Sequence, residues 1–91
     1  MKHNVYFEGR VQSLAINEKE GPATLGVIEP GAYSFSTSSE ERMTVVAGIL
    51  RVRQPGTEWK AYGAGEEFVV PPKVSFDVEA AADVAYLCRY R

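Results

Sequence analysis

Tyr33-Ser34-Phe35-Ser36-Thr37-Ser38-Ser39-Glu40-Glu41-Arg42-Met43-Thr44-Val45-Val46-Ala47-Gly48 is the stretch on which the fold turns. Side chains two apart on a strand share a face. Tyr33, Phe35 and Thr37 therefore fall on one side of a strand, and Ser34 and Ser36 on the other. Beyond the bend at Ser38-Ser39 the alternation resumes, with Glu41, Met43 and Val45 on one face. The two apolar faces are expected to share an interior, and one of them carries a carboxylate. A glutamate on an apolar inner face is costly unless it is hydrogen-bonded or binds something. Glu41 is thus the first candidate functional residue.

Outward from this stretch the chain repeats the same grammar. Short runs rich in Val, Ile, Tyr, Phe and Thr lie between turn signals: Arg10 to Ile16, Ala23 to Glu29, Ala32 to Thr37, Met43 to Val46, Ile49 to Arg53, Glu58 to Tyr62, Glu66 to Val70, Val74 to Glu79 and Val84 to Tyr90. Short strands with turns roughly every 8 to 12 residues predict a sandwich or barrel. Glu29-Pro30-Gly31-Ala32 and Gln54-Pro55-Gly56-Thr57 place proline and glycine where a type II turn wants them. Gly63 and Gly65 break the chain again, and Pro71-Pro72 removes two donors and ends a strand. No stretch carries helical periodicity, and Ala80-Ala81-Ala82 is too short to start a helix. On a later strand Val74, Phe76 and Val78 are expected to face inward.

Composition bounds the function. A chain of 91 residues makes one domain, residues 1–91, and a β-domain this small gains from burying surface against a second copy. A formal net charge of -2 with both signs scattered leaves no basic stripe, which argues against a nucleic acid polymer as partner. Cys88 is the single cysteine, so no internal disulfide forms and a reducing compartment fits. Nothing between Met1 and Arg10 reads as a signal peptide, and no apolar run is long enough to span a membrane. The expectation is a cytoplasmic protein with no membrane partner.

Two spaced blocks resemble the cupin fold: Gly31 through Phe35, Thr37 and Glu41 to Gly48, then Gly65 through Pro71 to Phe76. The resemblance implies an all-β, cupin-like jelly-roll barrel of short antiparallel strands. Metal-binding cupins carry histidines where this chain has Phe35, Thr37 and Phe76. Glu41 alone keeps a ligand-type side chain, and one carboxylate does not supply the three or four ligands a first-row metal needs. No metal and no cofactor are expected.

A narrower resemblance covers nearly the whole chain. Tyr6-Phe7-Glu8-Gly9, Gly26-Val27, Tyr33 to Gly48, Trp59 to Pro71, Ser75-Phe76 and Tyr86-Leu87-Cys88-Arg89-Tyr90 look like the small single-domain cupins of the pyrimidine/purine nucleoside phosphorylase family. That resemblance implies a metal-free homodimeric enzyme that cleaves diverse nucleosides with inorganic phosphate, its co-substrate, to free base and ribose 1-phosphate. Arg42 after Glu41 and Lys73 after the double proline depart from the family pattern and bear on substrate preference.

Phosphorolysis needs a grip on the ribose, an anion subsite and an apolar slot for the base. Glu41 suits the ribose hydroxyls and the cation that develops at the sugar carbon. Arg89 suits phosphate, bidentately, with Thr37 or Ser36 donating to another oxygen. Tyr33, Phe35, Phe76 and Tyr86 suit a stacked or sandwiched base. Each has a structural counterpart: core aromatics for the phenylalanines, an ion pair for Arg89, turn hydroxyls for Thr37 and Ser36, and pairing with Arg51 or Arg53 for Glu41. Alternation leaves open whether Arg89 and Leu87 or Tyr86 and Cys88 point inward. Cys88 reads as a buried apolar residue, His3 as part of a mobile terminus or an N-terminal strand, and Trp59 as a cover over a barrel end. A non-catalytic small-ligand or sugar-binding cupin is the alternative reading, and a metal-dependent oxygenase or isomerase a weaker one.

Overall fold

The computed structural model describes residues 1–91. Ten strands follow in order: β1 (His3–Tyr6), β2 (Val11–Glu18), β3 (Gly21–Ile28), β4 (Gly31–Ser36), β5 (Glu41–Ala47), β6 (Leu50–Arg53), β7 (Lys60–Tyr62), β8 (Glu67–Val70), β9 (Ser75–Ala80) and β10 (Val84–Tyr90). A single tight turn, Phe7–Gly9, joins β1 to β2. There is no α-helix, as the missing 3.6-residue periodicity predicts.

Every pairing is antiparallel. One sheet has the order β1-β2-β3-β10-β5-β8 and the other β4-β9-β6-β7. The last strand lies inside the first sheet, between β3 and β5, so the barrel closes only when the C-terminal segment is inserted. The core fills the space between the sheets, with Val45, Val70, Val78, Leu50 and Ile28 among its fully buried side chains. The predicted faces hold: Met43 and Val45 on β5, and Phe76 and Val78 on β9, are buried, while Ser34 and Ser36 are exposed.

On one side Tyr62 of β7 packs on Phe68 of β8, ring centroids 4.8 Å apart, and seals the two sheets together. On the other side β4 is a free edge, and Phe7 covers its end, 5.0 Å from the Tyr33 ring and 5.5 Å from Phe35. Phe7, Glu8 and Gly9 have φ of 52°, 56° and 91°. Two consecutive non-glycine residues in the left-handed region cost about 1–3 kcal/mol each, and such strain gathers where geometry is used.

Two local expectations need correction, and for His3 the strand alternative holds. Gln54–Thr57 closes as predicted, with Thr57 N donating to Gln54 O at 3.1 Å and Gly56 at φ 77°. Glu29–Ala32 does not, because Gly31 opens to φ 151° and the Tyr33 hydroxyl takes Glu29 O at 2.8 Å. His3 lies in β1, paired across from Leu14. Trp59 does not cap the barrel; its ring lies 5.0 Å from the Arg51 guanidinium and 4.8 Å from that of Arg53, both on the outward side of β6.

Candidate active site

Between the sheets lies a cavity of about 420 Å³, inside the range of roughly 300–1,000 Å³ typical of small-molecule sites. Its two walls differ in chemistry. The larger sheet supplies Tyr86, Cys88 and Tyr90 from β10, Glu41 and Met43 from β5, and Ser13 and Ile28 from β2 and β3. The smaller sheet supplies Phe35 and Phe76, and Tyr6 and Phe7 complete the rim.

β10 decides the larger wall. Val84, Tyr86 and Cys88 are buried in alternation, which turns Arg89 outward. Tyr86 pairs across from Gly26, where a Cβ would come within 2.5 Å of the Tyr86 ring. Glycine in a strand weakens it and marks a close approach; here the missing side chain is the space the tyrosine occupies.

Glu41 stands in this wall with no cation. Its Oε1 accepts from the Cys88 thiol at 3.5 Å. Burial raises its carboxyl above the ordinary glutamate value, against the weaker pull of that thiol. Pairing with Arg51 or Arg53 does not occur, because those arginines hold Glu79 at 2.6 Å and Asp77 at 2.9 Å outside. Burial, with Glu41 adding to it, pushes the Cys88 thiol up to about 12, so Cys88 stays a thiol and is no nucleophile. Burial likewise pushes Tyr86 up to about 12 and raises Tyr90. Both phenols remain donors at ordinary pH. Tyr90 also shares a 2.9 Å hydrogen bond with Thr24.

The structure brings Glu41, Phe35, Ser36, Phe76 and Tyr86 to one cavity and leaves three candidates outside it. Arg89 lies on the outer face and grips Glu18 bidentately, Nε to Oε1 at 2.8 Å and Nη2 to Oε2 at 3.2 Å. A cation committed there does not line the cavity. Thr37 donates to Pro71 O at 2.7 Å and accepts from Val74 N at 3.1 Å, which makes it a structural hydroxyl. Tyr33 is buried behind Phe7 and Phe35. Phe35 and Phe76 are 5.8 Å apart at 33°, already in contact with each other. No base fits between them; they form one platform.

Sequence reasoning missed Tyr6, Phe7, Ser13 and Tyr90. For Tyr90 the signal was present, since it follows Tyr86 and Cys88 by alternation once their face is known. The others come from the N-terminal third, and nothing local says that β1 and β2 cross the cavity. No three His, Cys, Asp or Glu side chains come together in a group that could hold a metal ion.

A jelly-roll cavity with one half-buried, cation-free carboxylate and an aromatic platform fits the resemblance in the sequence, and comparison with known proteins decides it. The sequence model of pyrimidine/purine nucleoside phosphorylases matches residues 1–90. The chain belongs to that family. A pyrimidine/purine nucleoside phosphorylase of Pseudomonas aeruginosa is 50% identical over 91 residues, covering 99% of this chain and 98% of the relative. A Vibrio parahaemolyticus crystal structure of unknown function superposes with a TM-score of 0.95 at 43% identity, covering 99% and 97% of the two chains. An RmlC-like cupin of Shewanella frigidimarina gives 0.72 at 18% identity, over 92% of this chain and 78% of the cupin. That likeness shows the fold: an all-β cupin.

Proposed function

We propose that this chain, a nucleoside phosphorylase, cleaves purine and pyrimidine nucleosides with inorganic phosphate inside the cavity between the sheets. Phosphate forms a bond to the sugar C1′ as the bond from C1′ to the base nitrogen breaks. The products are ribose 1-phosphate and the free base. The observation that carries the reading is Glu41, a half-buried carboxylate with no cation beside it, facing an aromatic platform in a chain of this family.

Glu41 accepts from the ribose hydroxyls and sits beside the carbon that becomes positive. An interaction that strengthens as charge develops lowers the barrier rather than merely binding substrate. Phe35 and Phe76 offer the base one continuous apolar face, which suits any flat ring. The cavity lining holds no Lys, Arg or His, so phosphate is met by neutral donors, the Tyr86 and Tyr90 hydroxyls. Phosphate and Glu41 are both negative, and the cation forming between them relieves their repulsion. No metal enters this scheme.

A second copy of the chain is the natural partner. The outer face of the larger sheet exposes Leu14, Leu25, Val27 and Val46, with Leu25 50% exposed. Leu14 and Leu25 pair across strands, and Leu25 pairs with Leu87, so the patch is continuous. Homodimerisation through this face is proposed, as is a cytoplasmic location. No helix is long and apolar enough to cross a membrane.

The test is direct: purified protein is incubated with uridine or inosine and phosphate, before and after chelation. Release of free base and ribose 1-phosphate that survives chelation supports the reading. Nucleoside binding without phosphate-dependent turnover would instead identify a non-catalytic binding cupin. Activity lost with a stoichiometric metal and restored on its return would overturn the metal-free scheme.

A further inference from the structure

β4 has one strand partner, β9, and its other edge is free. In their register Tyr33 faces Val78, Phe35 faces Phe76, and the same register carries on to Thr37, whose N–H donates to Val74 O at 2.9 Å. In an antiparallel pair, alternate residues exchange both backbone bonds with the partner strand and those between turn both groups away. Tyr33 and Phe35 therefore bond to β9. The N–H and C=O of Ser34 and of Ser36 point out from the free edge, and no turn or loop hydrogen bond engages them.

Both serines line the cavity, yet their hydroxyls are turned to the outer face. Ser36 Oγ is 3.0 Å from Ser75 Oγ, and Ser34 stands across from Asp77 on β9. The cavity therefore meets the serines through their backbone. Each presents a donor and an acceptor side by side, in a lining that Phe35 and Phe7 share. Exposed strand edges of this kind are templates for anything that offers the matching pattern.

The geometry points to a base-recognition edge: the N–H and C=O of Ser34 or Ser36 pair with an adjacent acceptor and donor on the nucleobase. This deepens the nucleoside phosphorylase reading and rests on it. Uracil offers a ring N–H flanked by carbonyl oxygens, hypoxanthine a ring N–H beside one carbonyl, and adenine an amino group beside a ring nitrogen. A backbone edge satisfies all three, whereas an ionised carboxylate such as Asp only accepts and leaves the base's own acceptor unpaired. Aromatic stacking tolerates every base and the edge demands only the shared pattern. Breadth toward nucleosides follows from an edge that no side chain specialises.

The experiment removes the pattern from each side in turn. Uridine is titrated into the 15N-labelled protein, and the amide signals of Ser34 and Ser36 are followed. In parallel kcat/KM is measured for uridine, N3-methyluridine and 5-methyluridine, and for inosine and N1-methylinosine. The inference expects a saturable shift of at least one serine amide. It also expects a loss of about 10-fold or more for the N-methylated nucleosides, with 5-methyluridine, equal in bulk, retained. Ser34→Pro and Ser36→Pro delete the N–H at positions where a sheet edge tolerates proline. At least one should raise KM for uridine and inosine together by about 10-fold while KM for phosphate stays within about 2-fold. Equal turnover of uridine and N3-methyluridine, or uridine binding that moves neither serine amide, overturns the edge and leaves phosphorolysis standing. Uridine binding at the serines without turnover overturns phosphorolysis and leaves the edge standing.

Discussion

Glu41 and Asp77 are both strand carboxylates, and they live opposite lives. Asp77, on the outer side of β9, is held low chiefly by its hydrogen bond to Arg53 at 2.9 Å. Glu41, on the inner side of β5, is held high by burial, and its partner is a thiol. The outer face repeats its pattern, with Arg51 on Glu79, Arg42 on Glu67 and Arg89 on Glu18. Exposed pairs of this kind contribute little to stability because water already solvates both charges. The inner carboxylate is different, since keeping a charge there without a cation is useful only if something charged or hydrogen-bonding arrives. Four arginine–carboxylate pairs lie on the outer faces of the sheets, whereas the one carboxylate that lines the cavity has no cation beside it.

The largest effect expected from breaking that contrast is at Glu41→Gln. Volume and one acceptor survive while the charge goes, so transition-state stabilisation falls by about 2–4 kcal/mol, or roughly 30- to 1000-fold in kcat/KM. Uridine, inosine and adenosine should lose alike, because a ribose-directed group ignores the base. The melting temperature at neutral pH should hold or rise, since a buried charge has been removed. Retained activity, or a loss confined to purines, removes Glu41 from the role proposed.

Tyr90→Phe sharpens the comparison on the same wall by taking away a phenol donor near Glu41. An increase of about 10-fold in KM for phosphate is expected, with KM for nucleoside less affected. Arg89→Ala should move the phosphate KM less than Tyr90→Phe does. A larger effect at Arg89 would return the anion to the outer face.

Titration separates the two carboxylates by sign. Glu41 is raised above 4.5 in the fold, so between 4.5 and its folded value the native state holds more proton than the unfolded chain. Its contribution to stability therefore falls as pH rises through that window. Activity rises over the same window as the carboxylate ionises, with an acid limb centred above 4.5. Asp77 is lowered from 3.8, so its contribution is present above 3.8 and is lost as pH falls below it. Thermal unfolding against pH for wild type and Glu41→Gln reads the difference. The variant should lack the fall above 4.5; identical curves would contradict the shift.

The smallest effect closes the contrast from outside. Asp77→Asn breaks the pair with Arg53 and is expected to change kcat/KM by less than about 2-fold. A large loss would mean that the outer face reaches the chemistry.

Much of this architecture was legible before folding. The strand runs, the inward set of Met43, Val45, Phe76 and Val78, and the placing of Glu41 on the same face as Met43 and Val45 follow from a period of two, and the Gln54–Thr57 turn from its proline and glycine; both are properties of neighbours along the chain. Arg89 shows where such reasoning stops. Alternation pairs it with Leu87 and opposes it to Tyr86 and Cys88, but the choice of face belongs to the strands on either side, β3 and β5. The same limit hid Phe7, Ser13 and the free edge of β4.

The chain by itself determined which side chains travel together on each strand, because that is set by local backbone geometry. Only the tertiary structure decided which of those sets face the cavity, which strand is left with an open edge, and that β10 lies between β3 and β5. Those outcomes depend on pairings between residues such as Ala23 and Arg89, far apart in sequence. Their register is chosen by what the whole barrel can bury at once.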